Sequence, residues 1–397
     1  MSRSRVSILS PDLAGNAIGR AYVLAKLLQD DFDVHIVAHG EGKVWGPIRE
    51  DPTVEYRPFH RGRAAGFVAD SRRTVRRLVD GHLILAVKPL LPSFGLGLTA
   101  RRVLRRPLLL DIDDWEIGFL SDSVYWEVRL LGHQWFAATG SPLYTRLLDR
   151  VTARADAVTV SNRFLQQRYG GTWVPHARDA RAFRRTPGQS GDGVPTVLFL
   201  GTARSNKGLD VLLAAWPRVT HPAARLRIVG TPPDAPIIRA LRARADHRVS
   251  FEGPVPFDQM PDLVTSAGVV VIPQQAGAAS VGQLPAKLMD AMAAGRPVVS
   301  TAVGDIPVWL AGGAGVIVPA GDPAALGAAI HRVLDEPAAA REMGTRARDR
   351  FLRYGAMEAV RPRLVALVDA LIRRRPLPPP APAFARETEN PAPAAVG

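Results

Sequence analysis

Two basic side chains lie between the predicted strand Thr196–Leu200 and a predicted helix. They are Arg204 and Lys207, in the run GTARSNKGLDVLLAAW. Flexible cations beside a helix start, where backbone N–H groups are unpaired, attract phosphate oxygens, so this segment has the chemistry to hold a diphosphate. The same spacing also suits an ordinary connection in which Lys207 and Gly208 only begin the helix. The residues by themselves leave both interpretations open.

A second candidate site lies in residues 276–303, AGAASVGQLPAKLMDAMAAGRPVVSTAV. Its opening is rich in small residues, so backbone N–H groups can approach a ligand closely. A helix is predicted over about residues 284–294, with Pro285 in its first turn and Gly295 at its end, followed by a buried strand. The start of this helix offers free donors and the positive end of the helix dipole to an anion. An ordinary loop-helix-strand unit would show the same spacing.

Three carboxylates, Asp111, Asp113 and Asp114, lie at the end of the predicted strand Leu108–Ile112. Polar residues at the carboxyl end of a strand in an open α/β sheet face the ligand crevice. They could bind a divalent metal or a polar substrate, because carboxylates alone do not define a metal site. Gly15 lies where the first strand meets the first helix, which fits either a nucleotide loop or a tight connection.

Composition restricts the class of protein. The 397-residue chain is 47% hydrophobic, enough to fill two cores of ordinary size. It has no cysteine, which excludes disulfides and thiolate metal sites and fits a reducing cytoplasm. The opening MSRSRVSILS has too short an apolar run for a signal peptide, and no stretch reaches the roughly 18 apolar residues of a membrane span. We therefore expect a cytoplasmic protein.

The net charge is +14, and of the 51 basic residues only five are lysines. Such a charge attracts anionic lipid, nucleic acid and diphosphates alike. Without zinc-finger spacing or an RNA-binding aromatic signature, no nucleic-acid partner is expected. A basic run precedes the aromatic residues 115–136, which is the pattern of a surface resting on an anionic membrane. Solvated helices beside an aromatic-lined pocket would look the same. The basic run comprises Arg101, Arg102, Arg105 and Arg106.

Short apolar runs alternate with helical stretches in both halves of the chain. This alternation predicts an α/β protein with two parallel, doubly wound domains. The Gly/Pro/Ser-rich residues 184–194 mark a linker between residues 1–183 and residues 195–354. A helix is predicted within residues 355–375, and the Pro/Ala-rich tail, residues 376–397, is expected to be disordered.

The segment DAMAAGRPVVST, which begins at Asp290, resembles the EAMAAGxPVVAT segment of family 4 glycosyltransferases. These are GT-B enzymes, in which two Rossmann-like domains face each other across a cleft and a sugar moves from a nucleotide donor with retention of anomeric configuration. The run GTARSNKG is similar to the family's G-R-x-x-x-x-K-G motif, with Thr202 in the Arg position. By this resemblance, the first domain receives the acceptor, the second binds the nucleotide sugar, and the helix in residues 355–375 crosses back to the first domain.

The resemblance implies roles for individual residues. Asp290 corresponds to the second Glu of the family's E-x7-E pair, which holds the donor ribose, whereas the first Glu corresponds to Gly282. Lys207 and Arg204 would stabilise the departing diphosphate, and Asp113 or Asp114 would contact the donor sugar or the acceptor. The class holds its donor without a D-x-D metal, so no metal site is expected. The remaining donor-binding positions implied are Gly15, Gly201, Thr202, Val255, Gly282, Gln283, Leu284 and Lys287.

The expected activity is that of a metal-independent, retaining hexosyltransferase. Its co-substrate would be a nucleotide-diphosphate sugar, with no other cofactor, and its acceptor a glycan, a lipid-linked molecule or a small molecule. An anionic membrane surface is a further expected partner, which would place the protein on the inner face of the membrane. Two alternatives stay open: a nucleotide-sugar epimerase of the same fold, and a non-catalytic, degenerate glycosyltransferase-like binding protein. An epimerase needs further acid and base groups, whereas the Gly at position 282 favours the binding protein.

Overall fold

The computed structural model describes residues 3–48, 51–59, 67–121, 141–183 and 195–384. Within these ranges the chain forms two α/β domains, each built on one parallel sheet. The predicted linker, residues 184–194, and most of the aromatic segment 115–136 lie outside the described residues.

Seven strands form the sheet of the first domain: Arg5–Ser10 (β1), Asp33–His39 (β2), Glu55–Phe59 (β3), Leu83–Val87 (β4), Leu108–Ile112 (β5), Ala157–Val160 (β6) and Thr172–Trp173 (β7). All neighbours are parallel, in the order β3-β2-β1-β4-β5-β6-β7. The direction of the strand order reverses between β1 and β4, and in open α/β sheets ligands bind at the carboxyl ends of the strands beside such a reversal.

Helices cover both faces of this sheet. Neighbouring residues of one strand therefore pack in two different hydrophobic cores. Ile8 packs in the core that contains Leu24, whereas Leu9 packs with Phe94 on the other face. This two-sided burial explains why the central strands are continuous apolar runs in the sequence. The helices are Ile18–Leu28 (α1), Phe67–Leu78 (α2), Leu96–Leu104 (α3), Glu116–Ser121 (α4), Pro142–Arg150 (α5) and Arg163–Tyr169 (α6).

The second domain repeats this arrangement with six strands: Thr196–Leu200 (β8), Arg225–Val229 (β9), Val249–Glu252 (β10), Val269–Ile272 (β11), Val298–Thr301 (β12) and Val316–Val318 (β13). They are parallel in the order β10-β9-β8-β11-β12-β13, so the strand order reverses between β8 and β11. The two sheets confirm the predicted fold class of two Rossmann-like domains.

The helices of the second half are Leu209–Ala215 (α7), Pro236–Arg242 (α8), Met260–Ser266 (α9), Ala278–Val281 (α10), Ala286–Ala293 (α11), Ile306–Trp309 (α12), Pro323–Asp335 (α13), Pro337–Tyr354 (α14) and Met357–Arg373 (α15). The last of these packs on the first domain, where Val360 and Leu364 share a core with Leu24 of α1. Helix α15 therefore packs on the first domain, although it follows the second domain in the chain. No helix in the described ranges is long and apolar enough to cross a membrane.

Part of the tail that was expected to be disordered is ordered. The Trp173 backbone N–H donates to the Ala381 carbonyl over 2.9 Å, and Phe384 is only 3% exposed. The Phe384 ring lies 4.7 Å from that of Trp173 and 5.0 Å from that of Trp309. The composition predicted disorder because a Pro/Ala-rich segment has few large apolar side chains. The buried Phe384 ring nevertheless holds this part of the tail against the protein. The prediction was therefore wrong for residues 376–384.

Candidate active site

A cavity of about 280 Å³ lies between the two domains, at the carboxyl ends of their strands. Residues from both domains form its wall. Three of the predicted site residues do not line it: Gly15, Arg204 and Gly282. The predicted residues that do line it are Asp113, Gly201, Thr202, Lys207, Val255, Gln283, Leu284, Lys287 and Asp290.

A chain of hydrogen bonds crosses this cavity from one domain to the other. The Lys207 ammonium group donates to Gln283 Oε1, and Gln283 Nε2 donates to Asp114 Oδ1 over 3.2 Å. On the far side, Lys88 Nζ donates to Asp114 Oδ2 over 2.7 Å. Two cations from different domains are thus linked through one amide and one carboxylate.

Lys207 is positioned by the turn that precedes α7. It ends the short 3₁₀ turn Ser205–Lys207, and the next residue, Gly208, has φ +66°. A Cβ on Gly208 would lie 1.9 Å from the Pro273 carbonyl oxygen, so both the backbone angle and the contact require glycine. The Lys207-Gly208 pair therefore has a local structural role as well as placing an ammonium group on the cavity wall.

The two lysines of the cavity's second-domain wall repel each other electrostatically. Burial, followed by the charge of Arg204, lowers the pKa of Lys207 to about 8, although Asp114 opposes the shift. Burial and the charge of Lys207 also lower the pKa of Lys287 well below its ordinary value. The Lys287 ammonium group lies 3.9 Å from the centroid of the Phe199 ring. An anion entering the cavity would relieve this repulsion.

Arg204 does not hold the position expected of a diphosphate ligand. Its side chain is exposed and lies outside the cavity wall. It acts on the site only at a distance, through the pKa of Lys207. The structure therefore corrects the prediction that Arg204 and Lys207 together form the clamp, because the turn that orients Lys207 inward leaves Arg204 facing outward.

Gly15 is also outside the cavity, for a local reason. Asp12 accepts hydrogen bonds from the backbone N–H groups of Ile18, Gly15 and Ala17, which fixes the loop before α1. A Cβ on Gly15 would lie 2.5 Å from an Asp12 carboxylate oxygen. Gly15 thus permits a tight connection between strand and helix, and Asn16 and Ala17 line the cavity in its place.

Gly282 lies in the contact between the domains instead of on the cavity wall. Its carbonyl accepts hydrogen bonds from the Trp115 backbone N–H (3.1 Å) and from Asn162 Nδ2 (3.2 Å). Its own N–H and that of Gln283 donate to the Ser280 carbonyl within the loop. These two amides are therefore not free donors for an anion, whereas the expectation for the helix start, which is at Ala286, stays a prediction.

Asp290 is buried and ion-paired. Its Oδ1 lies 2.5 Å from Arg178 Nε, and the two side chains are 8% and 7% exposed. The Arg178 guanidinium also stands over the Phe257 ring, 5.3 Å from its centroid. Because Arg178 belongs to the interdomain segment WVPHARDA, Asp290, the predicted ribose ligand, is ion-paired with the segment that joins the domains.

The three carboxylates after β5 have different partners. Both oxygens of Asp111 are engaged by Arg20, at 2.8 Å each, and Oδ1 also accepts a hydrogen bond from Thr159. Asp113 and Asp114 instead face the Lys88 ammonium group, at 3.5 and 2.7 Å. Among the described residues, no group of three or more His, Asp or Glu side chains has an arrangement that could hold a metal ion.

Four ionisable residues of the cavity wall were not among the predicted site residues: Arg20, Lys88, His176 and Arg178. Burial, followed by the charges of Arg20 and Arg178, lowers the pKa of His176 well below its usual value, so its imidazole is neutral. The sequence carries one usable signal for this set, the His-Ala-Arg run in the interdomain segment. The sequence around Arg20 and Lys88 gives no such signal, because the residues that they contact are distant in the chain.

Comparison with known proteins agrees with this fold. Residues 194–336 match the family model described as "Glycosyl transferases group 1". The Anabaena protein Alr3699/HepE, solved in complex with UDP-glucose, superposes with a TM-score of 0.71 at 16% identity, covering 92% of this chain and 99% of that one. The fold is that of GT-B proteins, and residues 194–336 of the second domain are similar to group 1 glycosyl transferases.

Two curated relatives give the level of sequence similarity. The GDP-mannose-dependent alpha-(1-6)-phosphatidylinositol monomannoside mannosyltransferase of Mycolicibacterium smegmatis is 28% identical over 301 residues, which are 69% of this chain and 73% of that protein. The glycogen synthase of Mycobacterium tuberculosis is 32% identical over 164 residues, 40% of this chain and 38% of the synthase. The chain spans between 29% and 44% of the length of several curated relatives.

Proposed function

We propose that the protein is a glycosyltransferase that moves a sugar from a nucleoside-diphosphate donor to a hydroxyl group of a glycan, a lipid-linked molecule or a small molecule. The observation that carries the proposal is the Lys207 ammonium group on the wall of the interdomain cavity. The group 1 match over residues 194–336 supports it. So do the UDP-glucose bound by the HepE protein and the GDP-mannose dependence of the mannosyltransferase relative.

The chemistry of this transfer fits the charges of the cavity. The bond from sugar C1 to the diphosphate oxygen breaks, its electron pair leaves with the diphosphate, and C1 bonds to the acceptor oxygen. Stabilising the charge on the departing group is the main electrostatic task. Lys207 and Lys287 are suited to it because burial lowers the pKa of each, helped by the charge of Arg204 at Lys207 and by the charge of Lys207 at Lys287, and a diphosphate between them would oppose both shifts.

Two finer features are part of the proposal. Retention of anomeric configuration rests on the resemblance of the segment beginning at Asp290 to family 4. Independence of a divalent metal is supported by the carboxylates, because Asp111 is engaged by Arg20 and Asp114 by Lys88 and Gln283. The ammonium groups then supply the charge that a metal ion supplies in other transferases.

Donor hydrolysis tests the activity without knowledge of the acceptor. Purified protein is incubated with UDP-glucose or GDP-mannose, with and without EDTA, and products are separated by chromatography. Release of free sugar and nucleoside diphosphate, unchanged by EDTA, is expected, and proton NMR of the first-formed anomer reports retention. A new nucleotide-sugar isomer would indicate an epimerase, and no product together with measurable donor binding would indicate a binding protein. Activity lost in EDTA and restored by Mg²⁺ would overturn metal independence.

A second proposal concerns location, and rests on a groove of about 1270 Å³ in the first domain. Pro107 and Asp156, which precede β5 and β6, lie in its wall, so the groove is at the opposite edge of the sheet from the cavity. Apolar residues such as Leu98 and Leu371 line it together with nine arginines. These, the arginine groove, are Arg72, Arg76, Arg101, Arg102, Arg105, Arg106, Arg154, Arg374 and Arg375.

Few of the arginines of this groove have an acidic partner. Within the part of the chain that the structure describes, only Arg101 and Arg375 of this set form ion pairs. Arginines elsewhere, such as Arg227 and Arg361, are paired with acids at 2.7 and 2.5 Å. Unpaired like charges repel one another, and an anionic surface relieves that repulsion. We therefore place an anionic membrane against this groove.

The aromatic part of the earlier membrane prediction needs correction. Trp115 packs between the domains, 5.1 Å from the Phe164 ring, and so does not face a membrane. The rest of the aromatic segment beyond residue 121 lies outside the described residues. The arginine groove alone carries the proposal.

Co-sedimentation with liposomes tests it. Binding to phosphatidylglycerol-containing vesicles, no binding to phosphatidylcholine vesicles, and weakening with salt are expected, since each basic residue near an anionic leaflet contributes about 1 kcal/mol. Replacing Arg102, Arg105, Arg106 and Arg374 with Ser should remove most of the binding. The matched control replaces four second-domain arginines, Arg227, Arg239, Arg341 and Arg346, and should keep it. Equal binding to both lipids, or equal loss in both variants, would show only a basic surface.

A further inference from the structure

Lys88 has an unusual backbone conformation at the edge of the cavity. It follows β4 with φ +66°, in the left-handed region that residues with a side chain rarely adopt. Its N–H donates to the Asp111 carbonyl over 2.7 Å, and its own carbonyl accepts from the Leu90 N–H and from Ser93 Oγ. Conformations of this kind persist where the surroundings fix them, and they concentrate at functional sites. The side chain of Lys88 is thus held in one direction, toward the cavity.

The Lys88 ammonium group lies near three carboxylates, at unequal distances. It is 2.7 Å from Asp114 Oδ2 and 2.7 Å from Glu116 Oε1, but 3.5 Å from Asp113 Oδ1. The side chain is 9% exposed, so these charges interact in a poorly solvated place. Asp114 and Glu116 accept hydrogen bonds from two of the three N–H groups of the ammonium group, and Asp113 interacts with it only electrostatically, at 3.5 Å.

The adjacent carboxylates Asp113 and Asp114 therefore differ chemically. Asp114 accepts hydrogen bonds on both oxygens, from Lys88 and from Gln283 Nε2. Asp113 Oδ1 is buried and has no hydrogen-bond partner among the described residues. A buried acceptor without a donor is costly, so such an atom calls for an explanation. A substrate hydroxyl in the cavity would supply the missing donor.

The pKa values of the two carboxyl groups are shifted in opposite directions. Burial raises the pKa of Asp113 to about 7, and the charges of Asp114 and Asp111 add to the shift, while Lys88 and Arg20 oppose it. Although burial acts in the other direction, the charge and hydrogen bond of Lys88 lower the pKa of Asp114. Two neighbouring acids whose environments separate their titration in this way can take different roles in acid–base chemistry.

We propose that Lys88 is a positioning residue that engages Asp114 and Glu116 so that Asp113 is left to accept the proton of the acceptor hydroxyl. The inference rests on the proposed glycosyl transfer and names the base for it. To retain the anomeric configuration proposed above, the acceptor oxygen approaches sugar C1 on the face from which the diphosphate departs. As it bonds to C1, its O–H bond breaks and the proton passes to Asp113 Oδ1. The C1–O bond to the diphosphate breaks with its electron pair on the diphosphate. Solvent later removes the proton from Asp113.

Because the charge of Lys88 affects the pKa of Asp113, the pH dependence of donor hydrolysis tests the proposal. Donor hydrolysis, with water as the acceptor, is measured from about pH 5.5 to pH 9, and its rate should fall below about pH 7 as Asp113 becomes protonated. Lys88→Met removes a charge that lowers the pKa of Asp113, so the acid limb should move up by about one pH unit or more. Lys88→Arg keeps the charge and should keep the limb within about half a unit of the wild type.

Control variants separate this role from a general structural one. Asp113→Asn should lower kcat by about 100-fold or more with a much smaller change in the KM for donor. Lys43→Met, at an exposed lysine outside the cavity, should leave both the rate and the acid limb unchanged. An acid limb that stays in place in Lys88→Met, or full activity in Asp113→Asn, would overturn the proposal.

A measurement that needs no turnover distinguishes failure of this inference from failure of the proposed function. Infrared difference spectra during a pH titration should show a carboxyl band that titrates near pH 7 and is absent in Asp113→Asn. In Lys88→Met that band should titrate at higher pH. If the wild type hydrolyses neither UDP-glucose nor GDP-mannose, the transferase proposal fails, and with it the step written above. An unmoved carboxyl band in Lys88→Met contradicts the role of Lys88 whether or not the protein turns over.

Discussion

Trp115 lies so close to Gly282 that a Cβ added to the glycine would be 2.3 Å from the Trp115 Cβ. The two residues belong to different domains and are joined by the hydrogen bond from the Trp115 N–H to the Gly282 carbonyl. Their neighbours, Asp114 and Gln283, form an isolated antiparallel bridge. The position where family 4 carries the first acid of its E-x7-E pair is thus used here to bring the domains together.

Adding a side chain at position 282 should push the domains apart. We expect Gly282→Ala to cost about 1–3 kcal/mol of stability and Gly282→Glu at least as much, because the contact with Trp115 leaves no space. Donor hydrolysis should fall in both, and the added acid in Gly282→Glu should not improve donor affinity. Thermal denaturation and small-angle X-ray scattering measure the two effects. Gly46→Ala, where nothing lies within 4 Å, is the control and should match the wild type.

Lys207→Ala should abolish donor hydrolysis with little effect on folding, because its ammonium group faces the cavity and not a core. Its pKa of about 8 also predicts a pH dependence. The charged form binds the diphosphate, so donor affinity should be highest below pH 8 and decline as pH rises through that value. Calorimetric titration with UDP or GDP measures it. A wild-type affinity that is flat across this range, or a normal turnover in Lys207→Ala, would remove Lys207 from the diphosphate site.

Asp290→Ala should affect stability as well as donor binding. It leaves the buried Arg178 without its partner, which typically costs about 3–5 kcal/mol. The double variant Asp290→Ala with Arg178→Met should regain much of that stability but not the affinity for UDP or GDP. Restored affinity in the double variant would mean that Asp290 does not contact the nucleotide. The exposed pair of Arg346 and Glu342 is the control, and Glu342→Ala should cost less than about 1 kcal/mol.

Phe384→Ala should destabilise the protein although the residue lies in a Pro/Ala-rich tail. The ring packs against Trp173, Trp309 and Tyr354, and deletion of a buried aromatic side chain costs about 3–5 kcal/mol. Urea denaturation measures the change. Leu352→Ala, at a side chain that is 42% exposed, is the control. Similar small changes in both variants would show that the tail packs weakly in solution.

Much of the fold could be predicted from the sequence, because buried parallel strands are continuous apolar runs with turn residues at each end. The strands Leu108–Ile112 and Thr196–Leu200 are where the pattern predicts them. The strand Glu55–Phe59 was missed because its sequence, EYRPF, contains two charged residues and a proline and is not a continuous apolar run. The strand Thr172–Trp173 was missed because two residues carry no periodicity. Both lie at the edges of the sheet, where a strand has one hydrogen-bonded neighbour and less apolar burial.

For the candidate site, the local positions of residues could be predicted from the sequence, but their long-range contacts could not. The sequence by itself placed Lys207 on a turn after a strand and Asp290 on a helix, because glycines, prolines and apolar periodicity act over a few residues. Only the tertiary structure decided which charges meet. Arg20 reaches Asp111 across 91 positions, and Asp114 is joined to Gln283 across 169. Such pairs depend on how the strands and domains are brought together, and no short segment of the sequence records that arrangement.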